Sequence, residues 1–213
     1  MTIGKTVVTV TATFGAGGTH IGRLVSQRLG LPFLDRAIPL RVAVELGVSA
    51  EHAGVHDEQV QGWLSRWFAS AAPLAGGYLV GTDSPRLDTL SETEFLARTQ
   101  RLLRDTVAEG GAVIVGRAGA LVLADCPSAL HVRLDGDPGR RARQAAALGS
   151  ISVREANVMA EKYDRMFASY IRRFYRADPA DARHYHLTLD STRLSFEACA
   201  EVIVTAAQTR QVG

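Results

Sequence analysis

The sequence contains almost no lysine. Of its 24 basic residues only Lys5 and Lys162 are lysine, and the others are arginines spread along the chain. The formal net charge is only +2. This distribution argues against a protein dedicated to binding DNA, and we expect no nucleic-acid partner. The arginine excess has two interpretations, a genomic codon bias or a set of planar guanidinium groups that bind phosphate bidentately.

Cysteines and long apolar runs are also scarce. Cys126 and Cys199 are the two cysteines and match no metal-ligand or redox spacing, so neither a disulfide scaffold nor a cysteine-based zinc site is expected. Both are predicted to be small buried apolar residues. No window approaches the ~18 consecutive apolar residues that a membrane helix needs, and the N-terminus lacks the features of a signal peptide. We therefore expect a cytoplasmic protein without membrane contact.

The order of apolar segments predicts an α/β fold. Five short strand-like runs alternate with helical sequence, which is typical of a parallel sheet. The runs are residues 6–11, 32–35, 112–115, 130–134 and 186–190. We predict a three-layer α/β/α fold with a five-stranded parallel sheet, in one domain over residues 1–213. Ligands bind such sheets at the carboxyl ends of the strands, which favours the glycine loop after the first run together with Asp35, Arg117, Asp135 and Asp190.

The glycine loop resembles a phosphate loop that has lost its lysine. Residues 12–19 lie where the motif G-x-x-x-x-G-K-[ST] would lie, but Ala12 replaces its first glycine and Gly18 replaces its lysine. Backbone N–H groups at a helix N-terminus can still bind an anion, because they need no side chain. The predicted phosphate-binding residues are Gly15, Ala16, Gly17, Gly18, Thr19 and His20. The Thr19 hydroxyl is also predicted to bind Mg²⁺.

Other interpretations of this loop stay open. The glycines could simply make a tight turn between strand and helix, with Thr19 as a helix cap and His20 as a cap or a solvent-facing residue. A dinucleotide-binding G-x-G-x-x-G is a further alternative, and Asp35 lies near the distance expected for its ribose-binding acid. That motif fails at its third position, where His20 stands in the place of a glycine or alanine.

Several segments resemble the cytidylate kinase-like group of the P-loop nucleoside monophosphate kinases. TATFGAGGTHIGR at 11–23 is similar to that group's lysine-free loop, and FLDRAIPLR at 33–41 to a segment that holds the acceptor nucleotide. VIVGR at 113–117 resembles the strand that places an arginine on the acceptor phosphate. DGDPGRRAR at 135–143 is similar to a helix with lid arginines, and LTLDSTRLS at 187–195 to the group's L-x-L-D-S-T-x-L-S.

The resemblance implies a P-loop kinase fold with a helical lid, and ATP as phosphoryl donor with Mg²⁺. It implies an acceptor-side helical insert with a mobile connection at 49–90 and a lid region at 140–182. The implied acceptor-binding residues are Asp35, Arg41 and Arg117. Catalytic arginines are predicted at Arg117, Arg140 and Arg165.

The chain also departs from the group's pattern. Ala118 stands where cytidylate kinase has an aspartate, and the region 63–85 replaces the acceptor-binding insert. Trp63, Trp67 and Phe68 in that region are interpreted as core or homodimer contacts rather than as a base-stacking platform. We expect ATP-dependent phosphoryl transfer to a nucleoside monophosphate, with a CMP-like or dCMP-like acceptor. The alternative is a non-catalytic nucleotide-binding or regulatory protein on the same fold, because the lysine is missing.

Overall fold

The computed structural model of the protein describes residues 6–35, 92–116 and 118–209. Within these residues five strands alternate with helices. The strands are β1 (Val7–Ala12), β2 (Phe33–Asp35), β3 (Val113–Val115), β4 (Ala129–Asp135) and β5 (Leu187–Asp190). The helices are α1 (Gly18–Leu29), α2 (Glu92–Glu109), α3 (Gly119–Val122), α4 (Pro138–Gly149), α5 (Val153–Tyr175) and α6 (Phe196–Thr209), with a 3₁₀ turn at Ala182–His184.

The strands form one parallel sheet in the order β2-β3-β1-β4-β5. This confirms the predicted α/β fold with five parallel strands. Ala12 lies opposite Leu134, and Asp135 lies opposite Asp190. On the other side of β1, Asp35 lies opposite Val115. The carboxyl ends of the strands therefore meet at one edge, where the glycine loop begins.

Successive residues of the strands face opposite sides of the sheet and enter different cores. Val8 and Val10 pack with α1 and α6 in one apolar cluster. Val7 and Ile114 pack in a second cluster with residues of α2, α3 and α5. The sheet therefore lies between two helical layers, as predicted. Thr9 and His131 are polar residues buried in this sheet, and the Thr9 hydroxyl oxygen lies 2.8 Å from His131 Nδ1.

Side-chain caps begin the two helices that follow β4. The Asp137 carboxylate accepts from the N–H of Arg140, with Pro138 at the first helical position, as the sequence predicts. The Ser152 hydroxyl accepts from the N–H of Glu155, whose carboxylate accepts from the N–H of Ser152, and this capping box begins α5. α4 and α5 form a helical hairpin within the predicted lid region; movement of that region stays a prediction.

Other predictions concern the two cysteines, membrane-spanning helices and the acceptor-side insert. Cys199 is buried and Cys126 is half-buried, and both are free thiols. No described helix combines the length and hydrophobicity that crossing a membrane requires. The predicted insert at 49–90, with its two tryptophans, lies outside the described residues.

Candidate functional site

The glycine loop turns the chain from the end of β1 into α1. Gly15 and Gly17 have φ of 79° and 72°, a left-handed conformation that favours glycine. A Cβ at Gly15 would lie 2.3 Å from the carbonyl oxygen of Arg141, and one at Gly17 would lie 2.5 Å from the Phe196 ring. These glycines are therefore required both by the backbone conformation and by close packing.

The loop presents backbone N–H groups that have no acceptor among the described residues. They belong to Gly15, Gly17, Gly18, Thr19 and His20, and the first helical bond of α1 runs from Ile21 N–H to the Gly17 carbonyl. The N-cap Gly17 supplies no side-chain hydrogen bond. Converging N–H groups at the positive end of a helix form a binding site for an anion such as phosphate. Ala16 differs from its neighbours, because its N–H donates to the Thr13 carbonyl inside the loop.

Residue 18 has no room for a side chain. A Cβ there would lie 2.7 Å from the Cβ of Ala12. The methyl group of Ala12 and a side chain at residue 18 would thus compete for the same space. A positive charge next to the bound phosphates would therefore come from a side chain elsewhere in the protein or from a bound metal ion, and not from residue 18.

Thr19 lies beside Asp35 at the mouth of the loop. Burial raises the pKa of Asp35, while the hydrogen bond from the Thr19 hydroxyl and the charge of Arg23 oppose that rise. Arg23 also lies 5.5 Å above the Phe33 ring. Burial raises the pKa of Tyr163 to about 12, with added repulsion from the carboxylates of Asp35 and Asp164. The structure therefore brings together Thr19, which is predicted to bind phosphate and Mg²⁺, and Asp35, which is predicted to bind the acceptor.

A charged network supports the outer side of the loop. The Asp135 carboxylate accepts from Arg133 at 2.6 Å and from the Thr13 hydroxyl at 2.9 Å. Burial opposes ionisation of Asp135, but the hydrogen bonds from Arg133, the Gly136 N–H and Thr13 outweigh it and lower its pKa. Arg141 lies 3.6 Å from the same carboxylate, so Asp135 links β4 to both the loop and α4.

Asp164 of α5 binds the loop directly. Its carboxylate accepts from the Phe14 N–H at 2.9 Å and from Arg141 at 2.7 Å. The buried Arg141 guanidinium also donates to the carbonyls of Phe14 and Gly136. Arg141 therefore contacts the loop from outside, with its charge balanced by Asp135 and Asp164, and a cleft of about 270 Å³ borders this network.

The other predicted residues lie at different places around the site. Arg140 lies in the first turn of α4. Its charge reaches Asp190, whose pKa is lowered first by hydrogen bonds from Thr192 and then by the charges of Arg193 and Arg140. Arg165 is exposed on α5 beside Asp164. His20 is exposed and stacks on Phe196, with 5.6 Å between ring centroids. Arg41 and Arg117 lie outside the described residues.

Sequence reasoning missed four residues that hold the loop. They are Arg141, Gln144, Asp164 and Ser191, which donate to or accept from the loop backbone. Their partners lie 127 to 175 residues away in the chain, so no local pattern connects them. Arg141 and Ser191 lie in segments that resemble the kinase group, whereas Gln144 and Asp164 lie outside those segments.

Residues 7–193 match the sequence model of the Cytidylate kinase-like family. The chain belongs to this family. Membership supports phosphoryl transfer and leaves the acceptor unspecified. Among curated proteins, the chain is similar to a uronate isomerase from Corynebacterium glutamicum, with 23% identity over 142 residues that cover 66% of this chain. The chain spans only 27% of that protein's length.

The chain is also similar to solved structures. An uncharacterized protein from Eubacterium ventriosum superposes with a TM-score of 0.66 at 15% identity, over 96% of this chain and 99% of that chain. A gluconokinase from Sinorhizobium meliloti has a TM-score of 0.46 at 12% identity, covering 96% and 90%. A shikimate kinase from Acinetobacter baumannii in complex with shikimate has a TM-score of 0.46 at 17% identity, covering 98% and 97%.

Proposed function

We propose that the protein is an ATP-dependent kinase that phosphorylates a nucleoside monophosphate, with a CMP-like or dCMP-like acceptor. The observation that carries this proposal is the set of N–H groups at the glycine loop that have no acceptor among the described residues. Phosphoryl transfer requires mainly alignment and charge stabilisation, and such groups supply both to the phosphates of ATP. The CMP-like acceptor rests on the family resemblance.

Thr19 and Asp35 fit a Mg²⁺ ion. A hydroxyl beside a carboxylate offers two oxygen ligands, and Mg²⁺ prefers oxygen and keeps several waters. The described residues hold no cluster of three or more His, Cys, Asp or Glu side chains for a metal, which agrees with an ion bound mostly by substrate phosphates and water. Bound there, Mg²⁺ would neutralise phosphate oxygens of the donor.

The acceptor would bind on the β2 and β3 side of the loop. Asp35 ends β2, and Arg117 follows the turn after β3 in the sequence. We assign Asp35 and Arg41 to the acceptor's ribose and phosphate, and Arg117 to its phosphate. The Asp35 carboxylate has two oxygens, so one would be available to the acceptor and the other to the Mg²⁺ ion. Arg140 and Arg165 would close over the transferring group as lid residues. An oxygen of the acceptor phosphate then takes the γ-phosphoryl group, and ADP leaves.

A second candidate is a nucleotide-binding protein without turnover. Two observations favour it: residue 18 has no room for a side chain, and Arg141 is already paired with Asp135 and Asp164. Loss of one cation from a phosphoryl-transfer site costs about 3 kcal/mol of transition-state stabilisation, by analogy with single oxyanion-hole contacts. ATP binding would survive this loss, since the N–H groups remain.

The deciding experiment is phosphorus NMR of purified protein with ATP, Mg²⁺ and each of CMP, dCMP, UMP, AMP and GMP. Formation of ADP and one diphosphate is expected with a cytidine acceptor. Arg117→Ala should reduce kcat/KM for that acceptor by about 100-fold or more. The matched control Arg183→Ala removes an exposed arginine in the 3₁₀ turn ahead of β5. This variant should change kcat/KM by less than about twofold. ATP binding without transfer to any acceptor would replace the kinase with the binding-only function.

A further inference from the structure

Three consecutive carbonyl groups of the glycine loop are held from outside by side chains. Arg141 donates to the Phe14 carbonyl at 2.9 Å, and Gln144 donates to the Gly15 carbonyl at 2.7 Å. Ser191 donates to the Ala16 carbonyl at 2.8 Å. The first two donors belong to α4, and the third belongs to the turn after β5.

These bonds fix the direction of the N–H groups as well. In a planar trans peptide the carbonyl of one residue and the N–H of the next point in opposite directions. Ser191, by holding the Ala16 carbonyl outward, therefore aims the Gly17 N–H inward. Arg141 does the same for the Gly15 N–H, while the peptide held by Gln144 carries the Ala16 N–H, which is used in the turn to Thr13.

The peptide between Ala16 and Gly17 needs such an external constraint. Reversing it changes ψ of Ala16 and φ of Gly17, and glycine adopts either sign of φ at little cost. Its own stereochemistry therefore does not select the orientation that exposes the N–H to a ligand. Ser191 is suited to select it, because this residue is fully buried and its own N–H donates to the Asp135 carbonyl at 3.1 Å.

We propose that Ser191 is a positioning residue, which holds the Ala16–Gly17 peptide so that the Gly17 N–H points into the phosphate-binding site. The inference rests on the proposed function, since it assumes that the loop binds phosphate. Ser191 gives a cleaner test than Arg141, whose guanidinium also binds Asp164 and the Gly136 carbonyl. The Ser191 hydroxyl has one further acceptor, the Asp135 carbonyl at 3.3 Å.

The test uses Ser191→Ala with Ser26→Ala as its matched control. Ser26 is also a buried serine, and its hydroxyl donates to the Leu31 carbonyl at 2.6 Å near the far end of α1. Both variants lose one hydroxyl-to-carbonyl hydrogen bond and should show a similar drop in Tm. Ser191→Cys, with a similar volume and a weaker donor, carries the test if Ser191→Ala does not fold.

Two readouts separate positioning from stability: the Kd of inorganic tripolyphosphate by calorimetry, and the Gly17 amide resonance by NMR. Ser191→Ala should weaken tripolyphosphate binding by about tenfold, the value of one hydrogen bond, and Ser26→Ala should leave it within about twofold. The Gly17 amide proton should shift downfield with ligand in the wild type but not in Ser191→Ala. If Ser191→Ala kept the wild-type affinity and a normal Gly17 shift, the inference about Ser191 would be overturned, while the proposed function would stand. No binding of tripolyphosphate or ATP by the wild type would overturn the proposed function together with it.

Discussion

The Cβ of Ala12 occupies the space from which a side chain at residue 18 would start. The distance between that Cβ and a Cβ built on Gly18 is 2.7 Å, which is too short for two real side chains. Ala12 ends β1 and Gly18 begins α1, so the contact closes the loop across its base. Residues 12 and 18 are therefore coupled, because the methyl group of Ala12 leaves no room for a side chain at residue 18.

This contact predicts that a lysine at residue 18 is tolerated only with a glycine at residue 12. Gly18→Lys alone should lower the free energy of unfolding by about 1 to 3 kcal/mol, the usual cost of overpacking. The double variant Ala12→Gly/Gly18→Lys should be within about 1 kcal/mol of Ala12→Gly alone. The double variant should also bind ATP more tightly than Ala12→Gly, since it has one more cation beside the phosphates.

Urea denaturation and ATP titration of the four proteins, including the wild type, check this prediction. A Gly18→Lys variant with wild-type stability would show that the contact with Ala12 relaxes without cost.

Gly15 and Gly30 allow backbone strain to be separated from steric collision. Both have positive φ, 79° and 66°. A Cβ at Gly30 meets nothing within 4 Å, whereas one at Gly15 would collide with the Arg141 carbonyl. Gly30→Ala should therefore cost only about 1 kcal/mol of stability, and Gly15→Ala should cost at least about 3 kcal/mol, because backbone on both sides must move.

The measurement is the free energy of unfolding of both alanine variants, followed by their affinity for ATP. Only Gly15→Ala should lose affinity. Equal stability losses in the two variants would mean that the contact between the loop and α4 is looser than the structure shows.

Asp135 should make the stability depend on pH in acid. Its pKa is lowered in the folded protein, because hydrogen bonds from Arg133, the Gly136 N–H and Thr13 outweigh its burial. The stability that it contributes is thus fully present above its unfolded pKa of about 4 and is lost as the pH falls through the lower folded pKa. Asp135→Asn should cost about 1 to 3 kcal/mol near pH 7, given that the side chain is 32% exposed.

Unfolding of the wild type and Asp135→Asn between pH 2.5 and pH 7 measures this contribution. The difference should be constant above about pH 5 and should shrink below pH 4. A difference that stays constant throughout would assign the cost of the substitution to lost packing rather than to the charge of Asp135.

The fold was more predictable from sequence than the site because its signals are local. Asp137 and Pro138 are adjacent, and together they predict the start of α4 that the structure contains. The strand-like runs likewise carry their own pattern, so the parallel sheet follows from their alternation with helices. In contrast, the bond from Ser191 to the Ala16 carbonyl joins residues 175 positions apart. Its existence depends on the sheet bringing the ends of β1 and β5 to one edge, and no propensity encodes it.

The contact between Ala12 and Gly18 is another feature that the sequence could not predict. The sequence shows that each residue departs from the motif, but the contact between them follows only from the curvature of the loop. Arg141 is a similar case, since an arginine in the first turn of a helix is ordinarily solvated. It is buried here because Asp164, on the next helix, and the Phe14 carbonyl both accept from it.

Thr19 should control both the protonation of Asp35 and the response to Mg²⁺. Burial raises the pKa of Asp35, and the hydrogen bond from the Thr19 hydroxyl opposes that rise. Thr19→Val removes the hydrogen bond while keeping the shape of the side chain, so the pKa of Asp35 should rise further. A carboxylate that is harder to ionise, beside a residue without a hydroxyl, is a poorer magnesium site.

Carbon-detected NMR titration of the Asp35 carboxyl group gives its pKa in both proteins, and calorimetry gives ATP affinity with and without Mg²⁺. The wild type should bind ATP more tightly with Mg²⁺, and Thr19→Val should lose most of that gain while binding metal-free ATP within about twofold of the wild type. Thr19→Ser, which keeps the hydroxyl, should restore both the pKa and the effect of Mg²⁺. If Thr19→Val raised the pKa of Asp35 but left the effect of Mg²⁺ intact, Thr19 would be a partner of Asp35 and not a ligand of the ion, and the metal would have to be held by phosphate and water with other residues.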